Sequence, residues 1–195
     1  MRSDSPGILF AGPVEADEAY VGGKAKNKHA NKNKHDRGVK GKEIVMGILQ
    51  RGIENEHSKV RAKVVPNTIK HTLQREIRAN VQPGAELMTD AHAGYQGLSE
   101  EYKHAWVDHL VRYAEGAIHT NACENFWMLF KWVLRTYISV DPRHLQAYID
   151  EEAERYNSRM ESDGTRFARI VSAFLGKRLM YTELTERGLK SMMPK

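Results

Sequence analysis

Cysteine is all but missing from this chain: Cys123 stands alone among 195 residues. That excludes an intramolecular disulfide framework and a cysteine-based zinc site within the chain. No run approaches the roughly 18 apolar residues of a membrane-spanning helix. Mean hydropathy is −0.61, so a soluble protein with no membrane partner is expected. The first thirteen residues hold too short an apolar stretch for a secretory signal, and no internal repeat is found. Acidic residues are scarce in one segment above all. Between Lys24 and Lys42 a single acid, Asp36, stands against Lys24, Lys26, Lys28, Lys32, Lys34, Arg37, Lys40 and Lys42. Gly, Asn and His fill most of the rest. The segment has no apolar periodicity and reads as a basic loop. It is either a solvated surface loop or an arm for phosphates, whose affinity would then depend strongly on salt. The whole chain carries a net charge of +5.

What is present is an alternation of short strands and helices. Residues 13–20 look like a strand entering the Gly22-Gly23 turn. Residues 42–51 form a mostly apolar run suited to a buried strand, and 59–65 alternate polar and apolar. Ile69, Leu73, Ile77 and Val81 recur at four-residue steps, one stripe of a helix that Pro83-Gly84 stops. Residues 86–90 make a short strand and 104–109 another. Helices are expected over about 121–137 and 143–159, parted by Asp141-Pro142. A further helix is expected at 167–175, and a short one past Gly176. The second helix carries Leu145, Tyr148, Ile149 and Tyr156 on an apolar face, and Trp106, Trp127 and Trp132 are assigned to the core. The first three strands have connections too short for parallel crossovers, so they pair antiparallel. The strand ending at Asp90 follows a helix and lies parallel to the first, beside it. This is a ribonuclease-H-like α/β order: a mixed sheet of three antiparallel strands and then parallel ones, flanked by helices.

That order brings widely separated acids together. Asp17 and Asp90 fall at neighbouring strand positions, and Glu124 opens a helix. Carboxylates a few ångströms apart repel one another, and a divalent cation supplies the missing counter-charge. A pair of such ions can stabilise both the attacking and leaving oxygens at phosphorus. Glu15 shares the strand face of Asp17 and is a supporting candidate. Glu18 points to the other face and is expected to be exposed or salt-bridged. Asn121 and Glu124 are also spaced as a capping box, a structural rival to catalysis. Lys131 and Arg135 lie on the helical stripe of Glu124 and Met128, placed for phosphate contact. His119, just ahead of this helix, is a candidate water or phosphate contact; His92 and His109 are weaker ones. Asp90 also has the local pattern of an Asx turn.

Residues 15–24, 89–95 and 119–127 together resemble the catalytic domain of bacterial insertion-sequence transposases, in the group related to Merlin elements within the DDE superfamily. Lys131, Thr136-Tyr137, His144-Leu145, residues 148–151 and residues 155–159 extend the resemblance, which spans about 14–160. It implies Asp17, Asp90 and Glu124 as catalytic, metal-binding acids holding two Mg²⁺ ions, with Mn²⁺ as a substitute, and Lys131 as the base that follows the third acid. Some relatives carry another residue there, often Asn. It further implies double-stranded DNA, both transposon ends and target, as partner, a homo-oligomer during synapsis and a bacterial cytoplasmic, nucleoid-associated location. The implied reaction is end cleavage followed by strand transfer. A hydrolytic nuclease of the same fold and an inactive DNA-binding remnant are the alternatives. The expected layout is an extension over 1–13, a catalytic domain over 14–160 with its basic loop at 24–42, and a helical tail over 161–195. Such transposases usually carry a zinc-binding, DNA-recognising region first, whereas here sixteen cysteine-free residues precede Asp17. A truncated copy, an excised domain and a misplaced start all fit that departure.

Overall fold

Residues 8–22, 41–53, 56–107, 119–137 and 140–176 are described by a computed structural model of the chain. The chain divides into two compact units, Met1–Asn157 and Ser158–Lys195. The first unit is built on strands β1 (Val14–Val21), β2 (Glu43–Gln50), β3 (Lys59–Val65), β4 (Glu86–Asp90) and β5 (Lys103–Val107), with helices α1 (Lys70–Asn80), α2 (Asn121–Arg135) and α3 (Leu145–Asn157). The sheet runs β3-β2-β1-β4-β5. β1 and β2 pair antiparallel along their full length, as do β2 and β3. β4 lies parallel to β1 and to β5. This is the ribonuclease-H-like mixed sheet that the order of elements predicts.

Each face of the sheet buries its own apolar cluster. On one side Val14, Ala16, Met46 and Ile48 meet Leu73 and Ile77 of α1, with Tyr95 and Leu98 from the β4–β5 connection. On the other, Ala19, Val45, Leu49 and Val60 meet Cys123, Phe126, Trp127 and Phe130 of α2 and Leu145 and Ile149 of α3. The period-two alternation of β1 thus sends Val14 and Ala16 to α1 and Ala19 to α2. Of the α1 stripe, Leu73, Ile77 and Val81 are buried, whereas Ile69 precedes the helix and is exposed.

β3 is an outer strand among the described ones, and α3 satisfies its open edge with side-chain amides. Gln146 Oε1 accepts from Val64 N at 2.8 Å and its Nε2 donates to Ala62 O at 3.1 Å. Asn157 does the same for Val60 N and O, at 2.7 and 2.9 Å. Edge groups left open invite pairing with another chain; here two amides close them. In the second unit, α4 (Asp163–Phe174) is capped by Ser162, whose Oγ accepts from Thr165 N at 3.2 Å. No described helix is long and apolar enough to cross a membrane.

Candidate metal centre and its clefts

The site forms where β1 and β4 part. Their parallel pairing covers only Val14 with Leu87 and Glu15 with Met88. Continuing that register sets Asp17 level with Asp90, with the two strands no longer bonded. In that gap, carboxylate oxygens of Asp17, Glu18 and Asp90 all lie within 4.8 Å of one another. Asp17 reaches it from the α2 face and Glu18 from the α1 face. The expectation that Glu18 is a peripheral acid is therefore corrected: it does point to the opposite face, but the strands have diverged there, and the gap is open to both faces. Glu18 accepts a short hydrogen bond from the hydroxyl of buried Tyr95.

Each acid has a distinct second anchor. Asp17 Oδ2 accepts from Trp127 Nε1 at 3.0 Å. The ring can reach it because the residue opposite Asp17 on β2 is Gly47, where a Cβ would stand 2.5 Å from Trp127 Cζ2. A glycine inside a strand signals this kind of close approach; the sequence carries it, though no reading of spacing names its partner. Asp90 Oδ1 accepts from His92 N at 3.0 Å, so the local Asx turn and the cluster coexist. Burial first, and then the neighbouring acids, raise Asp17 to a pKa of about 6 against a hydrogen bond from the Glu18 backbone. Burial likewise raises Glu18 to about 8 despite the bond from Tyr95. No cation among the described side chains offsets this pair, and clustered, desolvated carboxylates without one are what a hard divalent ion would complete.

Glu124 stands outside that tight set. It is exposed on α2 and lines the same groove as Asp17 and Glu18, and its charge contributes to raising Asp17. Lys131 and Arg135 line this groove too, with Met128 and Trp132. The capping box does not form: the N-cap is Thr120, without a side-chain cap bond. Glu15 does that work instead. Fully buried, its Oε2 accepts from Ala122 N at 2.8 Å and Cys123 N at 2.9 Å, the orphan donors of the first turn. Its Oε1 meets Arg51 Nε at 2.6 Å. Arg51 in turn donates from Nη2 to His119 Nδ1 at 2.9 Å and His119 O at 2.8 Å. His119 thus belongs to the clamp that holds the start of α2, a role its position alone did not announce. Asn121 is the exposed first residue of the helix.

Two of the three tryptophans depart from the core assignment. Trp127 is buried, but Trp106 and Trp132 are 60% and 64% exposed. Lys24, Lys26, Lys28, Lys32, Lys34, Arg37 and His109 lie outside the described residues, as does the helix expected past Gly176.

A ribonuclease-H-like sheet with acids at the parting of its parallel strands defines a class of metal-dependent phosphoryl-transfer domains. The chain matches the family of ISXO2-like transposase domains over residues 10–157, and it belongs to that family, within the DDE superfamily of insertion-sequence transposases. The family implies action on DNA and use of a divalent metal. No curated protein and no solved structure matches the chain.

Proposed function

We propose that this chain catalyses cleavage at the ends of an insertion sequence and transfer of the freed strand to target DNA. The observation that carries the reading is the convergence of Asp17 and Asp90 where β1 and β4 diverge, in a chain of this family. The donor set fits two Mg²⁺ ions or Mn²⁺ in their place: Asp17 and Asp90 would hold them, with Glu18 within reach and Glu124 on the groove wall. When bound, such ions supply counter-charge to the acids and Lewis-acid activation for in-line displacement at phosphorus.

The chain's own groups do the rest. Trp127 fixes Oδ2 of Asp17. Tyr95 holds Glu18, and the Asx turn holds Asp90. The Glu15–Arg51 pair sets the first turn of α2 and thereby the position of Glu124 one residue past Cys123. Lys131 and Arg135 contact the phosphates that flank the scissile bond, and the basic segment over residues 24–42 also binds DNA. Hydrolysis frees a 3′-hydroxyl, and that hydroxyl then attacks the target at the same acids, because both steps are substitutions at phosphorus. Synapsis of two ends requires a homo-oligomer, and the working location is the bacterial nucleoid.

The test supplies pre-nicked element ends, plasmid target and Mg²⁺, and resolves joined products. Joined strands support the reading. Cut but unjoined DNA would instead indicate a hydrolytic nuclease. A chain that binds DNA, gains no thermal stability from Mg²⁺ or Mn²⁺ and cuts nothing would be a remnant.

A further inference from the structure

Two clefts meet at the acid cluster, and each exposes a tryptophan. One, of about 440 Å³, is bounded by Asp90 and carries Trp106 with His92, Gln96, Ser99 and His104. The other, of about 360 Å³, is the groove of Asp17, Glu18 and Glu124, where Trp132 lies beside Lys131 and Arg135. Tryptophan ordinarily hides most of its surface, and the cores of this unit are complete without either ring. Each ring lines a cleft with polar side chains around it and an acid of the cluster at its edge, the mix of apolar surface and few polar groups that a ligand site uses.

The polar groups around these rings narrow what binds. The Arg135 guanidinium sits 5.7 Å from the Trp132 ring centre, so aromatic surface and phosphate-binding charge come together on one helix face. In the Asp90 cleft, His92 Nδ1 accepts from Gly94 N, which places its proton on Nε2 as a donor. The Thr89 hydroxyl donates to Asp90 O at 2.8 Å, so His104 Nε2 must donate to Thr89 Oγ1, leaving His104 Nδ1 an acceptor. A flat aromatic surface with one donor and one acceptor near it is complementary to a nucleobase. In a paired duplex, base faces are covered by their neighbours and cannot meet either ring.

We propose that the DNA strand reaching this site is unpaired next to the scissile phosphodiester, with its nucleobases stacked on Trp106 and Trp132 on either side of the acids. This rests on reading the site as a DNA-processing one, and it narrows the substrate from duplex to locally opened DNA. Opening an end costs least where pairing is already broken, and stacking on an aromatic side chain offsets that cost without regard to sequence.

The experiment compares a fully paired duplex with the same duplex carrying three unpaired nucleotides at one end, in Ca²⁺, by anisotropy and tryptophan emission. The wild-type chain is expected to bind the forked DNA about tenfold more tightly. Its emission is also expected to be quenched through the two exposed rings while buried Trp127 still emits. Trp132→Ala and Trp106→Ala should each lose most of the preference, and Trp132→Phe should keep it. Because both rings are exposed, melting temperatures should stay at the wild-type value and show that the variants fold. Equal wild-type binding to both duplexes, or alanine variants that retain the preference, would overturn this inference alone. Binding to neither would overturn the DNA reading with it.

Discussion

Glu15 and Asp17 stand two residues apart on the same face of β1, and their surroundings differ in kind. Glu15 is fully buried, yet it meets an arginine at 2.6 Å and two helix N–H groups at 2.8 and 2.9 Å. Asp17 has the Trp127 indole and the Glu18 backbone as donors, with Glu18 and Asp90 carboxylates within 4.8 Å and no such cation among the described residues. A buried charge is tolerable when it is paired and hydrogen-bonded. Glu15 meets that condition within the protein, so it is structural. The cluster lacks such a cation, and that lack is what the proposed metal site rests on. Within one strand, the inventory of counter-charge runs against burial: Glu15, the most buried of the three β1 acids, is the compensated one, and half-buried Asp17 and Glu18 have no such cation.

The strongest way to break this contrast is at the cluster. Asp17→Asn or Asp90→Asn is expected to lower strand cleavage and joining by at least about a thousandfold, ~4 kcal/mol of barrier. Salt-dependent DNA binding should change little, and the metal-free protein should melt at the same or a higher temperature. A metal-free melting temperature that falls would erase the distinction from Glu15. At the other end of the strand, Glu15→Ala should cost about 3–5 kcal/mol in urea unfolding, because it breaks a buried ion pair with Arg51 and removes the acceptor of the Ala122 and Cys123 N–H groups. A loss under about 1 kcal/mol would show that the clamp on α2 contributes little.

Proton linkage sharpens the same comparison. Asp17 and Glu18 bind protons more tightly in the folded state, at about 6 and about 8 against ordinary values of 3.8 and 4.5. The native protein therefore keeps protons that the unfolded chain has released. Metal-free stability should fall as pH rises from about 4 to about 8, by roughly 2–4 kcal/mol given the coupling of the two acids, and then level off. Saturating Mg²⁺ should remove most of that fall, since it binds the ionised carboxylates, and calorimetry at matched pH values reads both curves. A metal-free stability that rises over this interval would show the cluster to be compensated.

Smaller effects belong to the indole anchor. Gly47→Ala drives a methyl group into the Trp127 ring and should cost about 1–3 kcal/mol while weakening Mn²⁺ binding measured by calorimetry. Trp127→Phe removes one hydrogen bond and should cost about 1 kcal/mol, with the midpoint of metal binding moved to higher pH because Asp17 loses a bond that favours its ionised form. If Mn²⁺ affinity were untouched in both variants, Trp127 would be a core residue and no more.

The five strands and the helices were legible from apolar periodicity and punctuation. Residues 59–65 and 86–90 stand as strands with the expected limits, because the core rewards the pattern wherever it is packed. The parallel neighbour of β1 followed from the helix that separates β3 from β4. What stayed illegible depends on tertiary contact. Thr120 replaces Asn121 as N-cap because Glu15, over a hundred residues away, already meets the first-turn donors. Alternation put Glu18 on the far face correctly, but only the divergence of β1 from β4 turns that face toward the cluster. Trp106 and Trp132 share with Trp127 a composition that says core, and nothing in a sequence window distinguishes a ring under a sheet from one beside a cleft.

By itself the sequence determined the alternating strands and helices, the acids that the first and fourth strands carry and the family to which they belong, since these follow from local pattern and residue type. Tertiary structure alone decided which acid is neutralised and which are left short of positive charge. Electrostatic compensation depends on distances of a few ångströms between segments far apart along the chain, and no spacing in the sequence encodes those distances.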